Sequence, residues 1–223
     1  MTRKQTVYLV DDDELLLKTL STVFRFSGFE VREFRSPFEF LESNICSENA
    51  CVVLDLNMPY MTGLELQERL AQDGVFLPIV IYTGDADVQA TVRAMAGGAF
   101  TLVQKPCSNQ VLVETVRKAM KAFNEEQEQA QRLTSAHQRL ETLSEREKEV
   151  AMLVAEGLSS SEIAEKLGVG RRTAESHRSN ILQKLELKST AALIELVVLA
   201  GLHIPAHRDR PFRLNVTACS GRS

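Results

Sequence analysis

Cysteine is scarce in this chain and never paired in a metal-binding pattern. Cys46, Cys51, Cys107 and Cys219 show no C-x-x-C spacing and have no histidine at ligand distance. This excludes a zinc finger and a disulfide framework and predicts four free thiols in a reducing compartment. His203 and His207 are four apart, but Pro205 between them breaks the helical register that would make a ligand pair, so no zinc is placed there. Long apolar runs are also missing. None approaches the length of a bilayer span, and the polar start Met1-Thr2-Arg3-Lys4-Gln5 leads into no signal-type h-region, so a cytoplasmic protein without membrane contact is expected. Positive charge is not in excess: 26 Lys and Arg stand against 30 Asp and Glu, net −4, so any nucleic-acid surface must come from local asymmetry. No internal repeat is present.

What is present is an ordinary globular composition, 44% hydrophobic and 25% charged, in 223 residues, enough for one or two packed domains. Apolar runs at Val7 to Val10, Cys51 to Leu54, Ile79 to Tyr82 and Ala99 to Val103 alternate with helix-period segments, and Phe29 to Phe34 supplies a shorter fifth strand. That alternation predicts an α/β fold, a doubly wound five-stranded parallel sheet. Three of these runs end in chemically pointed residues: Asp11-Asp12-Asp13, Asp55-Leu56-Asn57-Met58-Pro59, and Lys105-Pro106 after Gln104. In a parallel sheet all three emerge at one edge. Adjacent Asp11 and Asp12 supply hard oxygen ligands for a small divalent cation such as Mg²⁺, which would offset the repulsion among three carboxylates. Asp55 then stands beside the metal as a nucleophile, and Lys105 brings positive charge to incoming anionic oxygens.

The second half reads differently. From about Ser108 a helical pattern runs through Val111, Leu112, Val116, Ala119 and Phe123 and continues into a polar stretch with no Gly or Pro. A heptad can be drawn through Val116, Phe123, Ala130 and His137, with Leu133 and Leu140 on the neighbouring seam, but two weak heptads predict a solvated helical linker rather than a zipper. Ser144 with Glu147 and Ser159 with Glu162 fit capping boxes, as Ser36-Pro37 with Glu39 does in the first half, and Gly157 and Gly168 can end the helices that follow. Further helices start near Arg171 and at Ser189. From Lys166 to Lys188 six Lys or Arg face only Glu175 and Glu186, a local net of +4 within an acidic chain. Ala174, Ile181, Leu182 and Leu185 form a buried stripe there, leaving Glu175, Ser176, Arg178, Ser179 and Gln183 toward the outward face, and Glu175, Arg178 and Lys184 are expected among the DNA contacts. Arg171 and Arg172, at the helix start, are placed to clamp backbone phosphates, and Ser176 and Ser179 to meet base edges.

On these residues the first ~125 positions resemble the receiver domain of bacterial response regulators, with the Asp pair, Asp55, Thr83 and Lys105-Pro106 in register. The segment from Leu143 to about Ile204 resembles the LuxR-type helix-turn-helix domain, so the whole looks like a two-domain transcription regulator of the FixJ/NarL type. The expected division is a receiver over 1–123, a helical linker over 124–142, a DNA-binding domain over 143–204, and a disordered tail over 205–223. The resemblance implies that Asp12 ligates Mg²⁺ directly, that Asp11 assists through water, and that Asp55 and the backbone carbonyl of Asn57 complete the protein ligands. It implies that Asp55 takes a phosphoryl group from a sensor histidine kinase, that Thr83 donates its hydroxyl to that group, and that a homodimer then presents two recognition helices to promoter DNA. RNA polymerase enters as a further partner. His177 occupies a position usually His in the family and is expected to pack or hydrogen-bond rather than bind metal.

Departures from the family pattern are specific. Ser159-Ser160-Ser161 stands where Ser-Asn-Lys is common, Ala174 replaces a common Val, and Gly170 replaces a common Ser N-cap. Leu102 occupies the place of a switch Phe or Tyr, with Tyr82 the nearby aromatic, and this keeps open a phosphorylation-independent regulator that uses its receiver as a dimer scaffold. A haloacid-dehalogenase-like phosphatase would need a second Asp where this chain has Asn57, so no enzyme is expected. A quorum sensor with an acyl-lactone pocket would share only the C-terminal domain.

Overall fold

The computed structural model describes residues 4–84 and 87–201. His203, His207, Cys219 and the expected tail lie outside them. The chain divides into two compact units between Glu126 and Gln127.

In the first unit, strands β1 (Thr6–Val10), β2 (Glu30–Phe34), β3 (Ala50–Leu54), β4 (Ile79–Thr83) and β5 (Thr101–Gln104) alternate with helices α1 (Glu14–Phe26), α2 (Pro37–Glu42), α3 (Gly63–Gln72), α4 (Val88–Ala96) and α5 (Asn109–Glu141). All pairings are parallel, in the order β2-β1-β3-β4-β5. The five predicted strands and the doubly wound arrangement are therefore present. The central strands are apolar without interruption because both their faces are covered. Tyr8, Val10, Val52, Leu54, Ile79 and Ile81 enter one core, and the alternating residues Val7, Leu9, Cys51, Val53, Val80 and Tyr82 enter the other. Burial of each such side chain stabilises the fold by roughly 1.5–3 kcal/mol.

Two strands start later than the sequence pattern. β2 starts at Glu30 because Phe29, after the turn at Gly28 (φ +92°), packs edge-on against Phe24 with ring centroids 5.7 Å apart. β5 starts at Thr101 because Ala99 is used to close α4, its amide donating to the Ala94 carbonyl at 3.0 Å. The box expected at Ser36 forms only by half. Ser36 Oγ accepts from the Glu39 amide at 3.2 Å, but the Glu39 carboxylate reaches one residue further back, to the Arg35 amide at 2.9 Å. A full capping box that was not expected joins Thr62 and Glu65 at the start of α3.

The second unit holds α6 (Glu145–Ala155), α7 (Ser160–Leu167), α8 (Arg171–Lys184) and α9 (Thr190–Gly201) around a core that includes Val150, Val154, Ile163, Ala174, Ile181, Leu193 and Val197. Both expected capping boxes, at Ser144 and Ser159, are formed. α7 ends at Gly168 in the left-handed conformation, φ +65°. α5 runs unbroken for 33 residues across the division, and its last turns are not wholly solvated. Ala136 is 1% exposed within this core, with Leu140 packed against it. His137, placed on the seam by the heptad reading, is exposed, because the 3-4 spacing of Leu133, Ala136 and Leu140 follows the true face of the helix. Among the described residues no helix is long and apolar enough to cross a membrane.

Candidate functional site

The carboxyl ends of β1, β3, β4 and β5 converge on one acidic pocket. The Asp55 amide donates to the Val10 carbonyl at 3.0 Å, which carries the ladder one step past both strands and sets Asp55 beside Asp11. Across the sheet the Lys105 amide donates to the Thr83 carbonyl at 2.8 Å, tying those two backbones together. Behind the pocket Gly63 opens α3 so close to β3 that a Cβ there would lie 2.2 Å from the Asp55 carbonyl oxygen, so no other residue fits.

Asp13 is the N-cap of α1, its Oδ1 accepting from the Leu15 and Leu16 amides at 2.9 and 3.0 Å. That leaves Asp11 and Asp12 of the aspartate triplet for other work. Asp11 and Asp55 are buried, 5% and 8% exposed, while Asp12 faces solvent. Each buried carboxylate gives one oxygen to a backbone amide: Asp11 Oδ1 to Asp13 at 2.9 Å and Asp55 Oδ1 to Leu56 at 2.8 Å. The other oxygens face Lys105, whose Nζ is 2.6 Å from Asp11 Oδ2 and 3.3 Å from Asp55 Oδ2. Ligand atoms of Asp11, Asp12 and Asp55 all lie within 4.8 Å of one another.

Burial pushes the Asp11 carboxyl up, against the opposing pull of the Lys105 hydrogen bond and the Asp13 amide. Burial alone would push the Lys105 ammonium down, but its hydrogen bond to Asp11 and the charges of Asp11 and Asp55 outweigh that, so it stays protonated. Three carboxylates against one ammonium leave surplus negative charge. The all-oxygen donor set suits a hard divalent cation such as Mg²⁺. Thr83 is fully buried, and among the described residues its Oγ1 has no hydrogen-bond partner, which is an uncompensated cost. Asn57 is exposed in the loop after Asp55. Leu102 is half-buried against the core that holds Ile81, whereas Tyr82 belongs to the opposite core and has Lys105 Nζ 5.4 Å from its ring centre.

On α8, Ala174, Ile181 and Leu185 face the core, and Arg172, Ser176, Ser179 and Gln183 are exposed. The other expected contact residues are engaged within the unit. Arg171 Nε pairs with Glu175 Oε1 at 2.9 Å on the exposed face. Arg178 reaches Ser160 Oγ at 3.1 Å and Thr190 Oγ1 at 3.5 Å, bracketing α7 and α9. Lys184 Nζ is 2.7 Å from Glu147 Oε2. His177 is half-buried. Gly63, the pairing of Glu147 with Lys184 and Arg178's bracketing role were not anticipated; the first could have been sought as a glycine just after the Asp55 loop.

A response regulator receiver domain model matches residues 7–117, and a model of bacterial regulatory proteins of the luxR family matches residues 141–197. The chain is 39% identical over 199 residues to the transcriptional regulatory protein TdiR of Thauera aromatica, covering 89% of this chain and 87% of TdiR. It is 34% identical over 196 residues to the transcriptional regulatory protein FixJ of Rhizobium meliloti, covering 88% of this chain and 96% of FixJ. The chain belongs to the FixJ-type response regulators. Among solved structures, this response regulator is similar to StyR, with 37% identity, a TM-score of 0.74, and coverage of 87% of this chain and 98% of StyR. It joins a receiver to a LuxR-type DNA-binding domain, the make-up of a transcription regulator of two-component systems.

Proposed function

We propose that Asp55 is the phosphoacceptor of this regulator and that its phosphorylation by a sensor histidine kinase controls promoter binding by α8. The observation that carries this reading is the Lys105 ammonium lying between Asp11 and Asp55, with three carboxylates grouped around one small space. An Asp55 oxygen attacks the phosphorus of a phosphohistidine as the P–N bond breaks, leaving the electron pair on the imidazole and an acyl phosphate on Asp55. Asp11, Asp12, Asp55 and the Asn57 backbone carbonyl would hold Mg²⁺, which would supply positive charge to the transferring oxygens. Asp12, the exposed member of the pair, would ligate the ion directly, and Asp11, already bonded to Lys105, would assist through water. Lys105 then shifts its ammonium toward the new phosphoryl oxygens. Thr83 donates a hydrogen bond to them from its hydroxyl, drawing its loop inward. Leu102 offers that movement a smaller side chain than the family's usual aromatic, which weakens the coupling to homodimer formation without removing it.

The DNA-contacting set is Arg171, Arg172, Glu175, Ser176 and Ser179, with phosphate contacts at the uncapped start of α8 and base contacts further along. Arg178 and Lys184 support the domain from within and lend α8 their charge. Acetyl phosphate with Mg²⁺, read by intact mass, tests the first half of the reading. One phosphoryl adduct is expected, lost in Asp55→Ala and lost without a divalent cation. An adduct that survives in Asp55→Ala refutes the assignment.

A further inference from the structure

The two ends of α8 are finished in unlike ways. At its start Gly170 provides no side-chain cap. At its end the chain reverses through Glu186, whose φ is +52°. The Leu187 amide donates to the Leu182 carbonyl at 2.8 Å and the Glu186 amide to the Gln183 carbonyl at 3.1 Å. This is a Schellman closure with glutamate in the left-handed position that favours glycine. A helix end leaves carbonyls in need of outside donors. The Leu185 carbonyl is satisfied by the Arg139 guanidinium, which reaches it from α5.

The residues behind this contact are themselves held. The Arg139 carbonyl accepts from Thr142 Oγ1 at 2.7 Å, and Ala136 and Leu140, on either side of Arg139, pack in the core of the second unit. One position before Leu185, Lys184 binds Glu147 Oε2, and the same oxygen accepts from the Ser144 amide at 2.9 Å and Ser144 Oγ at 2.8 Å. α8 is therefore bolted at its C-terminal end to the last turns of α5 and the first turn of α6, while the end that carries Arg171 and Arg172 is open.

We propose that Arg139 is a positioning residue for DNA recognition: by holding the Leu185 carbonyl it stabilises the strained reversal at Glu186 and fixes the attitude of α8. The inference rests on the reading of α8 as the DNA-contacting helix. Arg139 acts through α8 and makes no phosphate contact of its own.

The test uses full-length wild type, Arg139→Ala, Arg139→Lys, Glu186→Gly and the Arg139→Ala/Glu186→Gly double variant. Binding is measured across a salt series to a duplex enriched by wild type from a randomised pool and to a random-sequence duplex. Hydrogen exchange is followed at the Glu186 and Leu187 amides. Arg139→Ala is expected to weaken the enriched duplex about tenfold, as loss of a charged hydrogen bond to a carbonyl would, and to speed exchange at both amides. Random-duplex affinity and the salt slope should stay as in wild type. Glycine adopts the left-handed conformation without strain, so the double variant should regain affinity relative to Arg139→Ala alone, and Arg139→Lys should lie between wild type and Arg139→Ala. A salt slope reduced by about one would make Arg139 a phosphate contact and overturn the proposal. Faster exchange with unchanged affinity would leave it a purely structural contact and overturn it equally. If Arg139→Ala does not fold, absence of any affinity loss in Arg139→Lys overturns it. Failure of wild type to enrich any duplex would instead refute the DNA reading, before any variant is compared.

Discussion

The acidic pocket and the outer face of α8 are both polar surfaces, yet they are assembled over very different spans of chain. Lys105 and Asp11 are 94 positions apart and meet only because five strands have found their register. Arg171, Arg172, Ser176 and Ser179 share one 14-residue helix and need only that helix to lie side by side. A site built from distant strand ends is partly buried and strongly coupled, so a single change propagates to all its members. A surface carried on one helix is wet and screened, and its residues contribute in small, nearly separable amounts.

The sharpest way to break this contrast is at Lys105. Lys105→Met leaves Asp11 and Asp55 facing each other without a counter-charge. We expect a loss of about 2–3 kcal/mol in urea unfolding without metal, below the usual cost of a broken buried pair because the lysine side chain is 19% exposed. Added Mg²⁺ should restore more stability to the variant than it gives wild type. A variant as stable as wild type without metal would show the pocket to be less coupled than its distances imply.

Glu147 tests whether the second unit contains a coupled centre of its own. Its carboxyl is held down to about 2, first by the Lys184 hydrogen bond and then by the Ser144 amide, against an ordinary 4.5. Because the folded value is the lower one, its stabilisation is fully present above about pH 4.5 and is lost as pH falls toward 2. Glu147→Gln should cost about 1–2 kcal/mol at pH 7, moderated by the half-exposed lysine, and should flatten the acid limb of the stability curve in that window.

Thr83→Val should act in the opposite direction. Removing a buried hydroxyl that has no partner among the described residues is expected to stabilise the unphosphorylated protein by about 1 kcal/mol while reducing its response to beryllofluoride, read as change in dimerisation. Reduced stability would mean that the hydroxyl is already satisfied in solution. The smallest effects belong to α8. Arg172→Ala should lower the salt slope of DNA binding by about one, and Arg171→Ala should do the same with a larger affinity loss because Glu175 would lose its ion-pair partner. Equal losses would show that the Arg171–Glu175 pair opens on the DNA.

How much could be read in advance follows the same division. The five strands and the carboxylate and lysine positions were legible because an apolar run ending in a charged residue is a local signal, and a parallel sheet gathers such ends without further information. The second unit announced itself through two Ser-x-x-Glu boxes and a run of basic residues. What was hidden depends on partners remote in sequence. Nothing near Lys184 shows that its ammonium meets Glu147, 37 positions earlier, and nothing near Arg178 shows that it brackets Ser160 and Thr190. The seam of α5 slipped by one because a heptad was imposed on a helix whose lower face is set by a core, so Ala136 rather than His137 is buried. At Asp11-Asp12-Asp13 three identical residues fall to three environments, and only the start of α1 decides that Asp13 is the cap.

The close approach at Gly63 has a consequence for anyone re-engineering this regulator. Its amide donates to the Leu56 carbonyl at 2.9 Å, so the chain between Leu56 and Gly63 leaves and returns to one point. Residues 57–62 therefore form a cassette with closed ends, into which a loop from another receiver can be grafted if Met58 keeps its buried place and the Thr62 cap is retained. The closing glycine is the one position in that exchange that tolerates no alternative.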